Sequence, residues 1–190
     1  MASQTDIMNR ALRIANAAGL EPHSSPVIDN AFLAEDFFAI ALRQAVIEQA
    51  KTPGGRAQQK RTYPLTLVAG EIALPDTVLD EYLFDSTCFV SGDTTLLASY
   101  EPRYEDYLRA QFMYPQIAYY STRGSTLCFR GPNQAAGAAT STISLTTPGV
   151  PDIPATITDA ISAGSDVVEQ TILILAAMIR GKMAEDGANA

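Results

Sequence analysis

Apolar residues recur at helical spacing near both ends of the chain and at strand spacing through its middle. Ile7, Ala11, Ile14, Ala15 and Ala18 form one stripe, with Asn9, Arg10, Arg13 and Asn16 facing away. That spacing predicts a first helix over about Asp6 to Ala18, capped by Ser3 or Thr5 and stopped at Gly19. After the loop Glu21-Pro22-His23-Ser24-Ser25, Ser25 as cap and Pro26 as first helical residue start a second helix running to about Ala50. Val27, Ala31, Ala34, Phe38, Ala41 and Ala45 give it a core-facing stripe. Leu33, Phe37, Ile40, Gln44 and Ile47 step in the same way on another side, beside Asp29, Asp36 and Arg43. A helix with two apolar sides buries both. The second side therefore meets either the rest of the domain or a neighbouring subunit.

Past Thr52-Pro53-Gly54-Gly55 the texture changes. Thr62 to Val68 and Glu71 to Pro75 flank Ala69-Gly70 and read as a hairpin. Val78 to Val90 carries mixed signals, and an extended reading is preferred over a helix, above all for Ser86 to Val90. Thr94 to Tyr100 reads as a strand, Arg103 to Gln111 as a short helix, and Ile117–Thr122 with Ser125–Arg130 as a second hairpin about Arg123-Gly124. Gly131 to Ala139 is small and flexible, and a strand is expected over Thr140 to Thr146. Pro148-Gly-Val-Pro-Asp-Ile-Pro is a stiff extended link. Ser165 caps a last helix from Asp166 to about Met183, whose apolar residues (Val167, Val168, Ile172 to Leu175, Met178, Ile179) lie on more than one side. Acids at its start and Arg180 and Lys182 near its end suit the helix dipole.

The expected architecture is α+β, with an N-terminal helical pair and a C-terminal helix around an antiparallel β region. One domain spans 1–190: helical pair 1–50, basic loop 51–61, β-rich region 62–147, extended linker 148–164, helix 165–183 and flexible tail 184–190. The chain's 190 residues suit that size, and 47% hydrophobic residues supply a core and exclude wholesale disorder. Thirteen basic against 21 acidic residues give a net charge of -8, which argues against binding nucleic acid by neutralising phosphates. The first residues carry neither the basic nor the apolar part of a signal peptide, and the longest apolar run, Ile172 to Ile179, is far short of the roughly 20 residues of a bilayer span. A soluble protein without membrane contact is expected, made in a reducing cytoplasm.

Candidate chemistry is sparse. His23 is the one imidazole, and Ser24 and Ser25 beside it in sequence do not make a triad. Gly131-Pro-Asn-Gln-Ala-Ala-Gly lacks the Lys-Ser/Thr that completes a phosphate loop. Nine acidic residues between 71 and 106, among them Asp80, Glu81, Asp85, Glu101, Glu105 and Asp106, face only Arg103; they read as a solvated face rather than a paired-carboxylate or divalent-ion site. Tyr100, Tyr104, Tyr107, Tyr114, Tyr119 and Tyr120 read first as core and interface residues. Cys88 and Cys128, each among apolar neighbours, read as reduced packing thiols. Lys51, Arg56, Lys60 and Arg61 form either a solvated mobile loop or a contact to an acidic partner. No catalytic, cofactor-binding or metal-binding residue is assigned, and no cofactor.

Two N-terminal helices, a hairpin ending in Leu74-Pro75-Asp76, an antiparallel region holding the Tyr104-Glu105-Asp106-Tyr107 helix, and a C-terminal helix follow one another over about residues 6–180. This order of parts resembles the head-to-tail connector proteins of tailed bacteriophages. The resemblance implies a structural virion protein and no enzyme: a subunit of a homo-oligomeric ring, often of twelve, between the portal protein and a tail or nozzle/tube protein. Such a ring is assembled in the host bacterial cytoplasm and passes DNA without holding it. The alternatives are a baseplate or fibre-associated protein that binds a host-surface glycan through its Tyr- and Thr-rich strands, and a small carboxylate-based hydrolase.

Overall fold

A computed structural model describes residues 2–17, 26–90, 93–132 and 141–188. The loop bearing His23, the expected stop at Gly19 and most of the Gly131–Ala139 segment lie outside these residues. The fold is α+β. The chain divides into two compact units, one of residues 1–58 with 150–190 and the other of residues 59–149.

The first unit is helical: α1 (Gln4–Ala17), α2 (Pro26–Ala50), the short α3 (Pro53–Gln58) and α5 (Ser165–Ala188). Ser3 caps α1 by a reciprocal pair, its hydroxyl accepting from the Asp6 N–H at 3.2 Å while the Asp6 carboxylate accepts from the Ser3 N–H at 3.2 Å. The core is a seam of small residues: Ala11, Ala15, Ala34, Ala41, Ala45 and Ala176 are buried, and Ile7, Phe38, Leu42, Val46, Ile172, Leu175 and Ile179 fill the space between the helices. Three expectations are corrected here. The basic loop contains α3, begun by the Thr52 hydroxyl accepting from the Gly55 N–H. Ser165 is the first residue of α5 rather than its cap, and α5 runs on to Ala188 through the expected tail. The segment after Val150 is no free linker, because Ser3 bridges Ala160, the Thr5 N–H donates to the Ile157 carbonyl and Ile161 is fully buried.

The second unit is built on seven strands: β1 (Lys60–Leu67), β2 (Glu71–Ala73), β3 (Thr87–Val90), β4 (Asp93–Tyr100), β5 (Tyr119–Arg123), β6 (Thr126–Arg130) and β7 (Ser141–Pro148). Their order in the sheet is β1-β7-β3-β4-β5-β6-β2. The two end strands of that order are joined by a two-residue turn, Ala69-Gly70, closed by reciprocal hydrogen bonds between Val68 and Glu71. A sheet whose ends are tied together must curl, so the unit is a small barrel. Alternation then sorts its side chains. Leu65, Leu67, Leu74, Cys88, Ala98, Ala118, Tyr120, Leu127, Phe129, Ile143 and Leu145 fill the interior.

One pair of neighbours, β4 and β5, is parallel where an all-antiparallel region was expected. Parallel neighbours require a crossover. Here α4 (Tyr104–Met113) supplies it, packing Tyr107 and Ala110 over Tyr119 and Cys128 on the outer wall. Val78 to Val90 also departs from the extended reading, since Asp80–Asp85 forms a 3-10 helix before β3. Leu83 of that helix is buried with the barrel interior, and Ser86 behind it shares a 2.6 Å hydrogen bond with the Tyr120 hydroxyl.

Candidate interaction surfaces

In the helical unit, α2 divides its two apolar sides unequally. Ala34, Phe38, Ala41 and Ala45 are fully buried, as the first stripe requires, together with Leu42 and Val46. On the second side Leu33, Phe37 and Ile47 are half-buried, and Ile40 is 54% exposed. Asp36 and Gln44 beside them face solvent. The stripe is thus a narrow apolar strip with Ile40 at its crest. On α5 the buried line is Val168, Thr171, Ile172, Leu175 and Ile179, and Leu173 stands 59% exposed, so this helix is less enclosed than its composition suggested.

The barrel carries a larger apolar feature that the sequence reading passed over. Where α4 ends and β5 begins, Phe112 is 81% exposed, and Met113, Tyr114 and Ile117 are exposed beside it. Exposed Leu97 lies two residues before Ser99 on β4, and Ile117 two residues before Tyr119, the residue Ser99 faces. An exposed apolar ledge of this kind marks a contact site more often than a solvated surface. The signal in the sequence was the run Phe112-Met-Tyr-Pro between two elements, hidden because the helix was ended at Gln111.

Behind the ledge lies Arg130, opposite Tyr119 in the β5–β6 ladder and 3% exposed. Its guanidinium stacks over the Tyr119 ring at 5.5 Å, and Nη2 donates a long 3.5 Å bond to the Ile117 carbonyl. Nε has no partner and no carboxylate pairs with this cation among the described residues. A buried charge ordinarily requires such a partner. The neighbouring outer-wall cation, Arg123, has one: it pairs with Glu71 at 3.2 Å and stacks over Tyr104 at 5.4 Å.

The residues weighed for chemistry are dispersed. Asp80, Glu81 and Asp85 ride on the 3-10 helix, while Glu105 and Asp106 open α4 and Glu101 precedes it. Asp85 pairs with Lys60 at 3.3 Å and Asp106 lies 3.8 Å from Arg109. Among the described residues no group of three or more His, Cys, Asp or Glu is placed to hold a metal ion, and no helix is long and apolar enough to cross a membrane. Of the six tyrosines read as core and interface residues, Tyr107, Tyr119 and Tyr120 are buried. Burial pushes the Tyr107 and Tyr120 hydroxyls up to about 12.

Both thiols are buried and unpaired, Cys88 inside the barrel and Cys128 on its outer wall under α4. Burial raises Cys88 to about 12; burial and the Glu71 carboxylate raise Cys128 to about 11. Neither is a nucleophilic thiolate at neutral pH. The basic stretch is spent locally. Lys51 pairs with Glu48, Arg56 donates to the Ala50 carbonyl, Lys60 pairs with Asp85, and Arg61 donates to the Gly149 carbonyl. Compared with known proteins, the chain matches no family model and no curated protein.

Proposed function

We propose that this chain is a structural subunit of a head-to-tail connector ring of a tailed bacteriophage, seated between portal and tail. The outward side of α2 carries the reading: Leu33, Phe37 and Ile47 are half-buried around exposed Ile40 on a helix whose opposite side is buried at Ala34, Phe38, Ala41 and Ala45. A ring subunit meets two neighbours through unlike surfaces, and such head-to-tail contacts close when the rotation allows. The order of elements that resembles the connector family supports the same reading. So does the net charge of -8, since an acidic wall lets DNA slide past without gripping its phosphates. In this role the chain is no enzyme, and its partners are its own copies, the portal protein and a tail or nozzle/tube protein in the virion.

The test is assembly of the purified chain, followed by sedimentation over a concentration series and by negative-stain imaging. Closed rings of more than three subunits are expected. Ile40→Glu should abolish them and leave far-ultraviolet circular dichroism unchanged, because that side chain already faces solvent in the single chain. Phe37→Glu should do the same at some cost in stability, being half-buried. A compact trimer that binds glycans would replace this reading with the fibre-associated one.

A further inference from the structure

The outward stripe of α2 has a spacing of its own. Leu33, Phe37, Ile40, Gln44 and Ile47 step by four, three, four and three residues. A stripe that only covers its own core is broader than this; strict alternation of fours and threes is the heptad seam of a helix that packs along another helix. Ile40 and Gln44 are exposed on the seam, and Leu33, Phe37 and Ile47 are half-buried. The chain's own helical unit therefore leaves the middle of the seam uncovered.

The two flanks of the seam differ. One carries Ala34 and Ala41, fully buried in the helical unit. The other carries Asp36, which is exposed, and Arg43, which is half-buried, one heptad apart and opposite in charge. A helix laid on the seam meets these two charges at its open flank, and flanking charges set partner and orientation. The pattern is self-complementary. When two copies of α2 lie antiparallel, like flanks face each other. With Leu33 opposite Gln44 and Phe37 opposite Ile40, Asp36 of each copy then meets Arg43 of the other. A slip of one heptad either way sets Arg43 against Arg43 or Asp36 against Asp36. In a parallel pair Asp36 would face Ala41, and Arg43 would face Glu48, which Lys51 already holds at 2.6 Å. Charge thus selects one direction and one register.

We infer that two copies of this chain pair through α2, antiparallel about a two-fold axis, with Phe37 of each against Ile40 of the other and Asp36 of each beside Arg43 of the other. The contact is isologous, so it closes on itself and cannot grow. It occupies the strip that the ring reading gives to a head-to-tail neighbour, so dimer and ring exclude each other at that surface. A ring subunit makes two contacts where a dimer subunit makes one. The dimer is accordingly the form of the free chain at low concentration, and rings displace it as concentration rises. The pairing is derived without the ring reading and goes beyond it.

Charge reversal in the full-length chain tests it. Asp36→Arg and Arg43→Asp should each weaken dimerisation about tenfold in sedimentation, because each sets like charges together on both sides of the two-fold. Mixed in equal amounts, the two variants should pair with each other as strongly as wild type, since every such contact is then Arg against Asp. Parallel helices give no such rescue, because positions 36 and 43 never meet. The register is read separately: Leu33→Cys mixed with Gln44→Cys should form the mixed disulfide under mild oxidation, and neither chain should trap itself. This second arm decides the matter if circular dichroism shows that Arg43→Asp does not fold. Mixed charge variants that associate no better than either alone would overturn the inference, as would Gln44→Cys linking to itself faster than to Leu33→Cys. Rings that assemble with no dimer at lower concentration sink the pairing and leave the ring reading in place. Dimers that never give larger species keep the pairing and sink the ring.

Discussion

The two units of this chain solve burial by different chemistry. The helical unit contains no tyrosine and no cysteine; all eight tyrosines and both cysteines fall within residues 59–149, in the barrel. Alanine seams let α1, α2 and α5 approach closely, and their backbone polar groups are satisfied within each helix before packing begins. The barrel satisfies its backbone through partners far along the chain, such as β1 with β7, and fills its interior with larger, partly polar side chains. Tyr120 shows what that requires: its ring is fully buried, and its hydroxyl is met by Ser86. The helical unit is therefore sensitive to volume and charge along a seam, and the barrel to the protonation of what it has enclosed.

The largest expected effect attacks the seam. Leu175 is fully buried on α5, whereas Leu173 two positions away is 59% exposed. Leu175→Asp places a carboxylate in the seam with no partner and should cost about 4 kcal/mol. Leu173→Asp should stay within about 0.5 kcal/mol of wild type. Urea unfolding followed at 222 nm separates the two. Equal losses would show that the exposed side of α5 is as enclosed as its buried line.

Alkali attacks the barrel instead. Cys88, raised by burial from 9.0 to about 12, keeps a proton when folded that it releases when unfolded. Cys128, Tyr107 and Tyr120 shift in the same direction. The stability tied to these groups is complete below about pH 9 and is lost as pH rises through the folded values near 11 to 12. Cys88 alone should account for a loss on the order of 3 kcal/mol by pH 12. Urea midpoints taken from pH 8 upward should fall, and Cys88→Val should remove about one proton from the slope. The helical unit has no thiol or phenol to respond in this range.

The difference between the units also decides what was legible in the sequence. Helix positions follow from caps and spacing within a few residues of one another, so the buried faces of α1 and α2 were readable from Ile7, Ala11, Ala15, Ala34, Phe38 and Ala45. Both hairpins were readable for the same local reason, at Ala69-Gly70 and Arg123-Gly124. Barrel closure was not. The insertion of β7 between β1 and β3, and the parallel step from β4 to β5, are choices among distant partners that alternation alone does not rank. The ledge escaped because α4 continues two residues past Gln111, and Arg130 escaped because nothing local marks a buried arginine without a carboxylate. The outward strip of α2 was expected to meet either the rest of the domain or a neighbouring subunit, and the helical unit half-covers Leu33, Phe37 and Ile47 but leaves Ile40 exposed.

The smallest effect sharpens the comparison from within the barrel. Its two tight hairpins place different residues at the first turn position. In the β5–β6 hairpin that position is Gly124, at φ +62°, and in the β1–β2 hairpin it is Ala69, at φ 53°. Gly70, after Ala69, is also left-handed at φ 79°, which gives the pair of positive values that a type I′ turn requires. An alanine Cβ in this region crowds the following carbonyl and costs about 1 kcal/mol, a cost that glycine lacks. Ala69 is exposed, so replacing it removes no buried packing. Ala69→Gly gains flexibility in the unfolded chain, which offsets part of the relief. Ala69→Asn does not carry that penalty and tolerates the left-handed region. Ala69→Asn should therefore stabilise the barrel by roughly 0.5 to 1 kcal/mol and Ala69→Gly by less, measured by tyrosine emission during urea unfolding, which reports on this unit alone. Destabilisation by Asn would mean that the alanine is held there by something other than the turn. Since this turn ties the two ends of the sheet together, its stability sets how firmly the barrel is closed.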